Sequence, residues 1–285
     1  WENRSIRKQF KRWICFRGGV KVKLMIINNL EKYIDEFFGY GNINSDIWFI
    51  GYEEGSRSNS VKELKQRVNV WMKLDKEVLC DCKDFHLNLK MGNEEPFTVG
   101  KNQPTWSRYI DILTLYSKNY KLNKPEKQDY LRKKFAKLNS NHALLELFPI
   151  PCTSIPSWSY KDLEEQIDYF STKENYQKQI SEKRLSKIIE LIHKFKPKFV
   201  IFNGTTALSS WEAIISNKFE TVGIGKSYYL YLFQSEINFF VVPKLIYNTN
   251  AVIYSIASKM REFNEKNWNK KTPETFVPRV LILFS

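Results

Sequence analysis

Cysteine and histidine are scarce in this chain, and uninterrupted apolar runs are short. Four cysteines, Cys15, Cys80, Cys82 and Cys152, are too few and too unevenly spread over 285 residues to form a disulfide framework. Free thiols in a reducing compartment, and hence a cytoplasmic location, are expected. As iron–sulfur ligands the cysteines are poorly arranged, since the closest pair is a C-x-C. The three histidines, His86, His142 and His193, have no mutual metal-ligand spacing, so neither a metal nor a cofactor is expected. No apolar run is long enough to span a bilayer. The basic stretch Trp1 to Lys23 lacks the apolar centre and cleavage site of a secretory signal. Acidic residues are also in deficit, at 31 against 45 basic ones, which gives a formal charge of +14. A polyanionic partner follows, most simply nucleic acid, with no membrane and no obligate protein partner indicated. An AT-rich coding bias toward lysine produces the same excess without any partner.

What the chain does contain is enough apolar and aromatic material, 42% and 15% of residues, to bury a large core. We read one domain over residues 25–264, preceded by a basic extension over 1–24 and followed by a tail over 265–285 that includes the apolar run Val280 to Phe284, to which no role is assigned. Arg17-Gly18-Gly19 is what a translated purine-rich ribosome-binding sequence would encode. The native start is therefore expected at Met25 or a nearby valine codon.

Within the domain, Ile26 to Phe38 carries one apolar helical face, and Ile47 to Ile50 reads as a buried strand entering a turn bounded by Gly51 and Gly55. Ser60 and Glu63 form the pattern of a capping box for the next helix. Phe85, Leu87 and Leu89 alternate like a short strand, followed by a loop from Gly92 to Lys101. Pro104 opens a helix, and a strongly charged helix is expected from about Lys127 to Leu138. A second buried strand, Ala143 to Phe148, ends in a proline-stiffened loop from Pro149 to Trp158. Helices are expected over Lys161 to Phe170 and Ser181 to Phe195. Strands follow at Phe199 to Phe202, Tyr228 to Phe233 and Ile237 to Val242, and Asn250 caps a last helix. This alternation predicts an α/β fold, a three-layer α/β/α sandwich around a mostly parallel sheet.

The adjacent carboxylates Glu53 and Glu54 stand where a strand's carboxyl end meets a glycine turn, a layout that presents a reactive carboxylate to a substrate. If both faced one buried loop their repulsion would split their acidities, leaving one as an acid.

Four segments in order, GNINSDIWFIGYEEG, LLELFPIPCTS, PKFVIFNGTTAL and VVPKLIYNTN, resemble the motifs of the uracil-DNA glycosylase superfamily over roughly residues 42–261. The resemblance implies that Glu53, at the third position of the first loop, activates water; Glu54 replaces the usual proline and shares the catalytic assignment. The second segment is similar to a loop that shapes the base pocket, and Asn203 of the third matches a polar group set against the base edge. In the fourth, Lys244 stands where the family has a histidine that stabilises the departing base, and Leu245, Ile246 or Tyr247 is implied as the wedge entering the duplex. A flipped base needs stacking surfaces, for which Tyr52, Phe148 and Trp158 are the candidates. Arg108 and the run Arg132, Lys133, Lys134 and Lys137 are candidates for phosphate contacts. These departures point to a divergent bacterial branch, and the implied function is excision of a modified or damaged pyrimidine, including glucosylated hydroxymethylcytosine of phage DNA in antiviral defence. The alternatives carried are a uracil or mismatch repair glycosylase, a glycosylase-shaped DNA-binding protein without catalysis, and an unrelated metal-dependent nucleotide hydrolase.

Overall fold

The computed structural model describes residues 27–271, apart from 57, 59, 102, 155, 225–227 and 246–249. The expected 1–24 extension, the run Val280 to Phe284, and Ile246 and Tyr247 lie outside the described residues. In chain order the elements are α1 (27–36), β1 (Gly39–Gly41), β2 (Ile47–Gly55), α2 (Val61–Lys73), β3 (Leu79–Cys80), α3 (Cys82–Leu89), α4 (Glu95–Thr98), α5 (Pro104–Lys118) and α6 (Lys124–Lys133). They continue with β4 (His142–Cys152), α7 (Lys173–Phe195), β5 (Phe199–Asn203), α8 (Leu208–Ile215), β6 (Glu220–Ile224), β7 (Tyr228–Gln234), β8 (Asn238–Val242) and α9 (Asn250–Lys271).

Eight strands form one sheet in the order β3-β1-β4-β2-β5-β8-β7-β6. Its centre, β4-β2-β5-β8, is parallel throughout, because helices carry the chain back between these strands. β1 pairs antiparallel with β4, and β6 and β7 extend the other edge as antiparallel strands, β7 turning into β8 through a short polar turn. Strands buried on both faces need apolar side chains at consecutive positions, and all four residues from Ile47 to Ile50 are at most 2% exposed. Their alternation sends Phe49 against Tyr109 of α5, with ring centroids 4.2 Å apart, and Trp48 against Phe195 of α7 on the opposite face. Helix α9 joins α5 on the first face through Phe263 on Phe240, and α8 joins α7 on the second through Trp211 on Phe202. The α/β/α sandwich is thus present. Among the described residues no helix is long and apolar enough to cross a membrane.

Several elements depart from the sequence expectation. The segment around Phe85 is a helix, not a strand: Asp81 caps it by accepting the Asp84 N–H at 3.1 Å, and Phe85 and Leu89, one turn apart, are fully buried. The charged helix begins earlier, at Lys124, under a complete capping box from Asn123 and Glu126, and ends at Lys133. The expected helix near Lys161 is two 3₁₀ turns, Lys161–Leu163 and Asp168–Phe170, and α7 starts at Lys173, capped by Thr172. Ser60 does accept the Glu63 N–H, but the Glu63 carboxylate bonds Arg67 and the Ser56 and Ser58 hydroxyls.

Two of these differences shape the sheet's carboxyl end. β2 does not stop at Ile50 but runs to Gly55, and β4 runs through Pro149 and Pro151 to Cys152. Beyond Gly51 the two strands keep pairing, Glu53 with Phe148 and Gly55 with Cys152, across a register shift that accommodates prolines lacking an N–H. The pairing of β2 with β5 ends at Gly51 opposite Asn203. β2 therefore parts from β5 at the carboxyl ends of the central strands, the place where open α/β sheets have their ligand crevice.

Candidate active site

Glu53 is held at the upper end of β2 by the first residue of α7. Its oxygens lie 2.8 and 2.7 Å from Lys173 Nζ, and the two side chains are only 8% and 5% exposed. Burial raises the Glu53 pKa above its ordinary value; the Lys173 bond and charge, a hydrogen bond with the Cys152 thiol and the charge of Lys244 pull it back only in part. Four segments far apart in sequence, from β2, β4, α7 and the loop after β8, thus converge on one carboxylate. Such a group is partly desolvated, cation-flanked and still ionisable, which suits it to polarise a water or stabilise a developing positive charge.

Glu54 is placed elsewhere. Its carboxylate accepts from Tyr40 Oη at 2.8 Å, Arg67 Nη1 at 2.9 Å and Arg67 Nη2 at 3.3 Å, with His86 Nε2 at 3.3 Å. Burial opposes ionisation here too, but Arg67 and His86 outweigh it and lower the pKa to about 2. Arg67 is fully buried and also bonds Glu63 at 3.1 Å. Glu54 therefore belongs to a buried ionic cluster joining β1, β2, α2 and α3. The two acidities do split, through different partners on different sides of the strand rather than through mutual repulsion in one loop.

One level below Glu53, the sheet sets Glu146, Gly51, Asn203 and Val242 side by side across β4, β2, β5 and β8. In-register parallel residues share a face, and this row lies on the side covered by α5. Gly51 leaves room there: a Cβ would sit 2.1 Å from Glu146 Oε2 and 2.8 Å from its carboxyl carbon, so the end of that side chain would have to move. The Glu146 carboxyl rests on the bare backbone of β2, with Oε2 sealed from solvent and without a hydrogen-bond partner among the described residues. Burial, reinforced by the charges of Glu54 and Glu53 and little relieved by Arg184, pushes its pKa well above the carboxylate range. The main chain beneath it is anchored by Arg184 of α7, whose guanidinium donates to the carbonyls of Glu146, Leu147, Ile34 and Phe37 at 2.8–2.9 Å.

The expected pocket residues fare differently. Asn203 lies in the row, but its oxygen accepts the Leu245 N–H at 3.0 Å and its nitrogen donates to Tyr109 Oη at 3.1 Å. Its carboxamide thus ties the loop after β8 to β5 and α5. Leu245 is fully buried, so it cannot be a wedge, which has to project from the surface. Lys244 is exposed and close enough to Glu53 to act on it electrostatically. Tyr52 and Phe148 meet edge to face, 4.9 Å between centroids; Phe148 is buried, and Tyr52 is half-buried at the base of the Glu53 strand end. Trp158 is not presented outward: its indole N–H donates to the Phe170 carbonyl at 2.8 Å and its ring stacks on Tyr176 at 5.0 Å. It braces the chain leading to Lys173.

The basic candidates do not gather at the crevice. Lys133 pairs with Asp129, Lys137 with the α3 cap Asp81, Arg132 reaches the Thr98 carbonyl, and Lys134 is exposed at the end of α6. This run leads into His142, the first residue of β4, whose Nε2 accepts the Ala136 N–H at 2.8 Å. Ten residues of extended strand, about 30 Å, separate His142 from Cys152 beside Glu53. The run therefore sits at the amino end of the strands, away from the site. Arg108 is on α5 at the crevice end of the sheet, within 3.8 Å of buried Asp111 and 3.5 Å of Asn250.

Lys173, Cys152, Glu146, Tyr109 and Arg67 were not legible as site residues. For Glu146 the sequence holds one signal, a lone acid inside a buried apolar run; for Lys173, the first residue of a long helix, it holds none. No family model matches the chain, and no curated protein matches it.

Proposed function

We propose that this chain is a DNA glycosylase that turns a modified or damaged pyrimidine out of a duplex and hydrolyses its N-glycosidic bond, with Glu53 as the water-activating carboxylate. The observation that carries the proposal is Glu53 itself: a desolvated carboxylate at the carboxyl end of a central parallel strand, where β2 leaves β5, flanked by Lys173 and Lys244. N-glycoside cleavage passes through a cationic sugar and a base that accumulates electron density. A carboxylate beside the anomeric carbon meets the first need, and ammonium groups meet the second or hold a phosphate. Lys173 also holds Glu53 in place and offsets part of the burial that raises its pKa. Glucosylated hydroxymethylcytosine of phage DNA is the preferred substrate within this reading, and the net positive charge of the chain suits a DNA partner.

The test is abasic-site formation, without added metal, on matched duplexes carrying uracil, cytosine, hydroxymethylcytosine or its glucosylated forms. Release of one base is expected, with a loss of at least about a hundredfold in Glu53→Gln and unchanged duplex affinity. Absence of release from every substrate, with tight salt-sensitive binding intact, would replace the enzyme by a DNA-binding module.

A further inference from the structure

Glu146 is an acid for which the water-activating role of Glu53 leaves no use. Its Oε2 is buried without a hydrogen-bond partner among the described residues and its carboxyl lies directly on Gly51, while the residue as a whole is only partly buried between buried strand neighbours. An unpaired carboxyl in the middle of a sheet is destabilising. The surroundings nonetheless preserve it: Gly51 gives up a side chain to make room, and Arg184 fixes the backbone on which it stands. The titratable groups around it are Glu54, Glu53, Tyr109 and Arg184, two of them acids that disfavour its ionisation. Desolvation acts in the same direction, so the protonated form is favoured.

A neutral carboxylic acid has one O–H donor and one carbonyl acceptor, a fork that matches the N3 acceptor and the 4-amino donor of a cytosine-type base. We propose that Glu146 is the general acid of this site and that it selects 4-aminopyrimidines, its O–H protonating N3 while its carbonyl oxygen receives the 4-amino hydrogen. The inference rests on the glycosylase reading of the crevice. As the C1′–N1 bond breaks, its electron pair passes to the base, and the proton from Glu146 makes that base leave neutral. Water adds to C1′ and gives its proton to Glu53, so each turnover moves one proton from Glu146 to solvent-exchangeable base and one from water to Glu53; exchange with solvent resets both. Uracil has a hydrogen at N3 and offers no basic site there, so it gains no such assistance. This acid performs the leaving-group work for which the position of Lys244 retains a cation but no transferable imidazolium proton.

Two substitutions at one position separate proton transfer from recognition. Glu146→Gln keeps the shape and both hydrogen-bonding roles but has no acidic proton; Glu146→Ala loses both. Single-turnover base release from hydroxymethylcytosine or glucosylated hydroxymethylcytosine duplexes is expected to fall at least about a hundredfold in Glu146→Gln, with duplex affinity and melting temperature held. Free 5-methylcytosine, followed by calorimetry, is expected to bind the wild type and Glu146→Gln but not Glu146→Ala. Release that survives Glu146→Gln within tenfold overturns the acid assignment and leaves the glycosylase reading intact. If the wild type releases no base, while 5-methylcytosine binding is lost only in Glu146→Ala, the enzymatic reading fails and Glu146 stands as a reader of the cytosine edge. Absence of both release and binding overturns both.

Discussion

Replacing Glu54 by glutamine should destabilise the fold while leaving Glu53, the water-activating group, and its Lys173 partner in place, a result opposite to that expected of a water-activating carboxylate. The magnitude follows from two routes. Its pKa drops from an ordinary value near 4.5 to about 2, and at 1.36 kcal/mol per unit the ionised form stabilises the fold by about 3 kcal/mol. Independently, glutamine leaves fully buried Arg67 with Glu63 as its remaining anion, and breaking one side of a buried ion pair costs about 3–5 kcal/mol. Both routes give a loss near 3 kcal/mol, or roughly 6–9 °C in melting temperature for a chain of this size. The pH dependence supplies the sharper check. A depressed carboxylate pKa contributes stability that is fully present above about 4.5 and is lost as the pH falls toward about 2. Urea unfolding at pH 7 and pH 3 should therefore show the gap between wild type and Glu54→Gln shrinking to less than half at the lower pH. A loss under about 1 kcal/mol at pH 7, or a gap unchanged by acid, would refute the ion-cluster account and return Glu54 to the candidates for catalysis.

Two further outcomes follow from the geometry. Gly51→Ala drives a methyl into the Glu146 carboxyl; it should cost roughly 1–3 kcal/mol in denaturant unfolding and depress base release, and a neutral effect on both would show that Glu146 does not rest on β2. Reversing the charge of Lys133 and Lys134 together should change single-turnover base release by less than about twofold, because that segment lies about 30 Å along β4 from Cys152; a tenfold loss would place DNA along the amino end of the sheet.

The local pattern of the chain determined the layers and the central strands. Runs such as Ile47 to Ile50 and Phe199 to Phe202 are apolar at every position, which a strand covered on both faces requires, and the helical segments between them leave a parallel arrangement as the outcome. It also determined that Glu53 would stand at a strand's carboxyl end. Where local signals conflict the reading failed: Phe85, Leu87 and Leu89 alternate as a strand would, yet Asp81 caps them into a helix. The tertiary structure alone decided what each acid does. Glu53 and Glu54 are neighbours in sequence, but one meets Lys173, 120 residues away, and the other Arg67 and His86, so their environments differ by long-range packing that no local pattern encodes. Glu146 became a site residue only because β4 sets it beside a glycine of β2, and Asn203 became a tether because the loop after β8 brings the Leu245 N–H to it. Burial and partners set the charge state of a side chain, and both are properties of the folded chain, not of the residue.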